Sequence, residues 1–316
     1  MLKIGLVGCG GISGAHVPAW DTMDDAQLVA ICDIRAEKME RYPDHKFYTD
    51  FDKMLEENEF DIIDVCLPTF LHCEYALKAM NKGINVISEK PISLNIEDVE
   101  MLYSTAEKNG VKFMVAQVLR FWKEYEILKQ IYDTEKYGKL ISGSMWRLGG
   151  YPAGGWNGWY YDKKLSGLVP FDLHIHDLDF IVYAFGNPKN FSCMRKERKD
   201  QDYISVVYDY GDFFINTEAS WYKAKYPFYM GFRFQFEEAV VAMERDDFTI
   251  YDCEGNEMHP CDETADENQS DFDLPAGGGY ENEIHYFADC VKNNKPVEKV
   301  TKESLKAVLG ILDKIK

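Results

Sequence analysis

Short apolar runs alternate with amphipathic stretches through the first third of the chain. Lys3-Ile4-Gly5-Leu6-Val7, Gln27–Asp33, Asp61–Pro68, Ile84–Glu89 and Lys112–Val118 are compact, β-branched and bounded by Gly, Pro or acids, and read as buried strands. Between them, helical spacing covers residues 13–23, continues from the second strand through Met39, and returns at His72–Lys82, where Gly83 closes it, and at Asn95–Asn109. Strand and helix in strict alternation predict a parallel, doubly wound α/β sheet over residues 1–119.

After Arg120 the pattern changes. A helix over Glu124–Asp133, a strand over Leu140–Leu148 and a Gly- and Trp-rich loop over Gly149–Tyr161 lead into a segment, Ser166–Gly186, that turns into an apolar helix. Beyond it, alternating aromatic segments (Tyr203–Tyr208, Phe213–Trp221, Tyr226–Phe236, Val240–Glu244, Phe248–Tyr251) carry turn signals at Tyr210-Gly211-Asp212 and Glu254-Gly255-Asn256. This predicts, for residues 120–316, an α/β domain with a large, mainly antiparallel sheet covered by helices on one face. Helices over Glu281–Lys292 and Lys302–Lys314 finish the chain. The acidic stretch Asp262–Asp273 lacks the glycine and ligand spacing of a calcium loop and reads as a solvated excursion.

Composition narrows the function classes. The 316 residues are 46% apolar and 14% aromatic, a globular balance long enough for two cores. With 54 acids against 35 bases the net charge is −19, which argues against nucleic-acid partners and anionic membrane surfaces. No apolar run reaches the length of a membrane span, and the chain enters a strand at once without a signal-peptide layout, so a cytoplasmic protein is expected. Eight cysteines without CxxC pairing or regular spacing suit reduced, buried thiols better than disulfides or zinc.

Three stretches carry chemistry. Gly8-x-Gly10-x-x-Ser13 lies between a strand and a helix, where Gly8 allows a tight turn and Gly10 lets a pyrophosphate approach the backbone at the helix N-terminus. Ser13 stands where a third Gly or Ala is usual. Asp33 ends the second strand at the distance expected of a ribose-binding acid, which favours NAD; Arg35 beside it leaves NADP admissible. The run Ile84–Pro91 is a strand that stops at Glu89-Lys90-Pro91, placing Lys90 at the carboxyl edge of the sheet, where ligands bind. Asp172, His176 and Asp179 share a helical face, an arrangement in which a carboxylate can orient an imidazole for proton transfer. His174 diverges from His176 on that helix and no further ligand cluster is apparent, so no metal is expected.

Together these residues resemble the Gfo/Idh/MocA family of nicotinamide-dependent oxidoreductases over essentially the whole chain. The resemblance rests on Gly8-Cys9-Gly10-Gly11-Ile12-Ser13, Pro68-Thr69-x-x-His72, Glu89-Lys90-Pro91, Gln117-Val118-Leu119-Arg120-Phe121 and Asp172-x-x-x-His176-x-x-Asp179. Two departures stand out: His174-Ile175-His176 where the family often has Gly-x-His, and Thr69 where it often has Asn. The resemblance implies a Rossmann domain followed by an open-sheet α/β domain, homo-oligomers (dimer or tetramer) formed through that sheet, and Lys90, Asp172 and His176 as the catalytic group. It also implies cofactor contacts from Gly8, Gly10, Gly11, Ile12, Ser13, Asp33, Ile34, Arg35, Leu67, Pro68, Thr69, His72, Glu89 and Gln117.

The expected activity is NAD-dependent, reversible oxidation of a secondary hydroxyl on a cyclic sugar, inositol-like polyol or glycoside. Trp156, Asn157 and Trp159 are candidates for the sugar-facing loop, with Arg120 also on the substrate side. One alternative keeps the same site but couples oxidation to elimination, cleaving a glycosidic bond and recycling the cofactor. The other is a non-catalytic NAD-binding regulator.

Overall fold

The computed structural model describes residues 1–152, 155–245, 247–261 and 278–315; the acidic stretch 262–273 lies outside them. The chain forms two compact units, Met1–Val118 with Gly277–Leu309, and Leu119–Ala276 with Gly310–Lys316. The first crossing falls beside the expected boundary at residue 119. The chain from the penultimate helix to Leu309, most of the last helix included, groups with the first unit. An amphipathic helix at the end of a chain carries no mark of which core it will cover.

In the first unit the elements run β1 (Leu2–Val7), α1 (Ser13–Asp21), β2 (Ala26–Cys32), β3 (Lys46–Tyr48), α2 (Phe51–Glu57), β4 (Ile62–Val65), α3 (Thr69–Met80), β5 (Asn85–Glu89), α4 (Ile96–Asn109) and β6 (Phe113–Ala116). The strands form one parallel sheet in the order β3-β2-β1-β4-β5-β6. Strand order reverses between β1 and β4, and at such a switch point the carboxyl edge of a parallel sheet opens a crevice. All four residues of β4 and of β6 are buried, as they must be in strands covered on both faces. The sequence pattern missed β3 and α2, because three residues of strand and seven of helix are too short to show a period. Asp50 caps α2 by accepting the Lys53 N–H at 3.1 Å.

In the second unit α5 (Lys123–Thr134) precedes β7 (Leu140–Gly150), the short α6 (Lys163–Ser166), a wide π-type turn over Pro170–His174, and α7 (Ile175–Phe185). The strands β8 (Asn190–Arg198), β9 (Gln201–Asp209), β10 (Phe214–Tyr222), β11 (Tyr229–Phe236), β12 (Ala239–Glu244), β13 (Asp247–Asp252) and β14 (Glu257–Met258) follow, and the sheet order is β14-β13-β12-β11-β7-β10-β9-β8. Every pairing is antiparallel except β7 with β10. Edge strand β8, with its polar Met-Arg-Lys-Glu-Arg run, gave no alternation to read. Met145, Ile204, Val206, Ile215, Phe232 and Val241 point to the buried face; the opposite face is half-exposed, with Met194, Phe214 and Tyr251 prominent on it. No helix among the described residues is long and apolar enough to cross a membrane. The final helices are α8 (Gly279–Lys292), which packs on α1, and α9 (Lys302–Ile315).

Two buried ion pairs hold α7 in the second unit. Arg120 Nε and Nη2 donate to Asp179 at 2.8 and 2.6 Å, and the guanidinium also lies over the Tyr183 ring. Arg147 on β7 donates to Asp177 at 3.1 Å. Removing one member of such a pair strands a buried charge. Arg120→Met is expected to cost about 3–5 kcal/mol in denaturant unfolding, with much of the loss recovered in Arg120→Met/Asp179→Leu; a single-variant loss below about 1 kcal/mol would show that the pair does not anchor α7.

Candidate functional site

The loop after β1 is shaped by close backbone approach. Gly8 has φ +104°, and a Cβ there would stand 2.4 Å from the Cys66 carbonyl oxygen at the end of β4. Gly10 and Gly11 face open space, with nothing within 4 Å of the point where a Cβ would stand. Ser13 Oγ donates to the Gly10 carbonyl at 2.8 Å, and so takes the Tyr42 hydroxyl as its own donor at the same distance. Arg41 Nη1 donates to the same carbonyl at 2.7 Å. Tyr42 and Arg41 escaped sequence reading, since they sit in a 3-10 turn (Ala36–Arg41) and its end, where no motif points to them. Gly8, required by the fold, and Gly10 and Gly11, required by nothing in the protein itself, make a cradle that fits a dinucleotide pyrophosphate.

Asp33, beyond the end of β2, is nearly sealed. Its Oδ2 accepts the Cys9 N–H at 2.8 Å and Arg35 Nη2 at 2.7 Å; its Oδ1 accepts the Arg35 N–H and Nε. Burial works to raise this carboxyl, but the hydrogen bonds from Arg35 and Cys9 outweigh it and hold Asp33 below the usual carboxylate range. Arg35 remains half-buried and Ile34 is exposed beside it. A ribose diol must displace the Arg35 fork from Asp33, whereas a 2′-phosphate would recruit that same fork. The choice between NAD and NADP therefore turns on one ion pair.

At the end of β5, Glu89 is buried and Lys90 is half-exposed, with the Lys90–Pro91 bond in the cis form. Glu89 Oε2 accepts the Lys90 N–H at 3.0 Å. Its Oε1 lies 3.0 Å from Nε2 of His16, a fully buried residue on α1 whose Nδ1 lies 2.9 Å from Asp64 Oδ2 on β4. Trp20 Nε1 donates to the same Asp64 oxygen at 2.8 Å. Cys66 approaches Asp64, and the Tyr280 ring from α8 lies 6.2 Å from the imidazole. His16, Asp64 and Cys66 bring potential metal ligands together. Their donors and acceptors are already committed to one another, and burial pushes the Cys66 thiol well up, so it stays protonated. Sequence reading missed His16 and Asp64: a lone histidine in a helix and an acid in an apolar strand look unremarkable until the sheet closes.

Several of the expected cofactor contacts are buried. His72 is buried, with Nδ1 at 2.7 Å from the Pro91 carbonyl and Nε2 at 2.6 Å from the Leu67 carbonyl. Burial lowers its pKa, so the neutral ring donates to one of the two at a time. It braces the Leu67 and Pro91 turns. Ser13 and Thr69 are likewise sealed, while Leu67 and Pro68 keep accessible surface. Gln117 is buried with its Oε1 lacking a hydrogen-bond partner among the described residues, an unused acceptor beside the end of β6.

In the second unit the expected helical face divides. Asp172 falls in the π-type turn and His176 in α7; both are half-exposed, whereas Asp179 is buried on Arg120. Arg120, expected on the substrate side, is therefore committed to the interior. His174 is buried at 2.7 Å from the Tyr208 hydroxyl, and burial pulls its pKa down to about 3, so it stays neutral. Trp156, Asn157 and Trp159 lie in a 3-10 turn, Trp156–Tyr161, in which Trp159 stacks on Tyr160 with ring centroids 4.0 Å apart, covering one of its faces. A cavity of about 330 Å³ in this unit is lined by Tyr151, Tyr161, Leu168, Asp200 and Trp221, and by none of the expected site residues.

Comparison with known proteins agrees with this geometry. Residues 2–117 match the family model "Oxidoreductase family, NAD-binding Rossmann fold", and residues 125–241 match the GFO/IDH/MocA C-terminal domain. The chain belongs to the Gfo/Idh/MocA oxidoreductase family. Among relatives, glucose-6-phosphate 3-dehydrogenase of Bacillus subtilis is 31% identical over 195 residues, 58% of this chain and 54% of that protein. The scyllo-inositol 2-dehydrogenase (NADP(+)) of the same organism is 26% identical over 226 residues, 66% of this chain and 60% of that protein. The chain thus spans little more than half the length of these relatives. Among solved structures, levoglucosan dehydrogenase in complex with NADH and levoglucosan superposes with a TM-score of 0.81 at 18% identity, over 99% of this chain and 96% of that one, a likeness of fold.

Two predictions come from this family member's first unit. Gly10→Ala should leave thermal stability near wild type yet weaken NADH binding by about tenfold or more, about 1.4 kcal/mol, whereas Gly8→Ala should fail in stability itself; calorimetry and NADH fluorescence titration separate the two. The second concerns pH. Burial alone would lower the His16 pKa, but the Asp64 carboxylate overrides it and the value is raised well above its ordinary one. The groups facing this imidazole are Asp64, Cys66, Glu89 and Tyr280. Because the folded value exceeds the unfolded one, His16 stabilises fully below about pH 6.5 and loses that contribution as pH rises through the folded value. The stability gap between wild type and His16→Gln should be widest near pH 6 and shrink toward alkaline pH; a gap that grows instead would reverse the assignment of charge.

Proposed function

We propose that the protein is an NAD-dependent oxidoreductase that reversibly oxidises a secondary hydroxyl of a cyclic sugar, polyol or glycoside. The observation that carries this reading is Lys90: a half-exposed lysine at the carboxyl edge of β5, its backbone held by Glu89 and its turn braced by His72 through Pro91. Support comes from relatives whose names specify oxidation of glucose 6-phosphate, an inositol and a glucoside.

NAD, when bound, supplies the hydride acceptor. Lys90 holds the reacting hydroxyl oxygen and stabilises the negative charge that develops on it. His176, neutral, takes the hydroxyl proton as the carbon is oxidised, and returns it in the reverse direction. Asp172 orients the imidazole or binds a neighbouring hydroxyl. Glu89 and Gln117 seat the nicotinamide ribose, and the unused Gln117 acceptor suits a ribose hydroxyl. Trp156, Asn157 and Trp159 face the sugar ring. Arg120 is a positioning residue that acts through Asp179 on α7. Copies of the chain assemble through the open face of the large sheet, where Met194, Phe214 and Tyr251 are exposed.

A panel of inositols, monosaccharides and glycosides, assayed with NAD and then NADP, tests the reading. On an accepted substrate, Lys90→Ala and His176→Ala should each lower kcat by about 10²-fold or more while NADH affinity holds within a few-fold. NADH equal to substrate consumed marks the dehydrogenase; substrate cleavage without net NADH marks the oxidation–elimination alternative. Full turnover in both variants would sink the catalytic assignment.

A further inference from the structure

We infer that His16 is a positioning residue, a buried, doubly protonated imidazole that locks the Glu89 carboxylate and thereby fixes the Lys90 turn and the ribose-facing edge of the nicotinamide site. Three observations meet here. His16 is fully buried, with a carboxylate at hydrogen-bond distance from each ring nitrogen: Asp64 Oδ2 at Nδ1 and Glu89 Oε1 at Nε2. Asp64 Oδ2 already accepts from the Trp20 indole and Glu89 Oε2 from the Lys90 N–H, and with both groups ionised only a ring carrying two protons satisfies both contacts at once. Glu89 in turn commits its second oxygen to the Lys90 N–H.

The consequence is mechanical. Asp64 is itself pinned by the Trp20 indole, so one end of the bridge is rigid. With Oε1 on His16 and Oε2 on Lys90, the Glu89 carboxylate has its plane and both lone-pair edges defined. A carboxylate that must receive ribose hydroxyls in one orientation needs that definition, because a loosely held group loses orientational entropy at each binding event. The bridge also joins α1, whose N-terminus follows the glycine loop, to the end of β5. His72 supports the same turn from Pro91, but it bonds only backbone carbonyls and leaves Glu89 untouched.

The inference rests on the proposed use of Glu89 at the nicotinamide ribose, and its test does not require a substrate. In the full-length protein, His16→Gln keeps a donor of similar reach but no charge, and Glu89→Gln changes the other end. Both should raise the Kd for NADH about tenfold (about 1.4 kcal/mol), while the Kd for ADP, which lacks the nicotinamide ribose, holds within about twofold. The double variant should be no worse than the worse single one, because the two residues act as a unit. Equal losses for NADH and ADP, no loss for either, or additive losses would overturn the inference. Should the variants fold poorly, histidine side-chain nitrogen NMR on the wild type decides: His16 is expected to carry both ring protons at pH 8, and a neutral ring there overturns the assignment. A protein that binds NADH selectively but oxidises no polyol would refute the dehydrogenase reading and leave His16 in its role.

Discussion

The charged bridge Asp64–His16–Glu89 is the interaction on which the first unit's chemistry depends. It places an imidazolium between two carboxylates inside a parallel sheet, where each charge is costly unless its partners are close and well oriented. All three groups meet that condition, with every contact at 3.0 Å or less. Burial and the Asp64 carboxylate pull the imidazole in opposite directions, and the carboxylate prevails. The site edge thus inherits the rigidity of the sheet: β4 carries Asp64, β5 carries Glu89, and α1 spans from the glycine loop to both.

The same logic recurs in the second unit with different residues. There α7 is fixed by Arg120–Asp179 and Arg147–Asp177, two buried pairs that bind a helix to the chain before it and to β7. His176 on this helix and Asp172 in the turn before it are half-exposed, so the accessible polar groups sit on or beside an element whose position is set by inaccessible ones. Preorganisation of this kind lets a site hold its geometry without relying on loops. The wide turn over Pro170–His174 adds to this, because an irregular turn at the head of a helix re-aims the residue within it.

Cofactor preference rests on a smaller balance. Asp33 is saturated by Arg35 and by the Cys9 backbone, and a ligand must exchange with one of them. An acid selects for a free ribose diol, an arginine for a phosphate, and this chain holds both in contact.

Periodicity and a few motifs determined much of this protein. The strand–helix alternation is strong because parallel strands buried on both faces must be continuously apolar, and the glycine loop, Asp33 and Glu89-Lys90-Pro91 are local in sequence. The antiparallel sheet was legible through its alternating aromatic residues. What only the tertiary structure decided were the partnerships across long separations. His16 meets Glu89 over 73 positions, and Arg120 meets Asp179 over 59. Those pairings turned an unremarkable histidine into the brace of the lysine turn and buried Arg120 against α7. Edge strand β8 and the return of α8 were hidden for a related reason. A polar edge has no buried face to impose a period, and an amphipathic helix does not say which apolar surface it will cover. Local pattern reports what each segment must bury; only the folded chain reports against what.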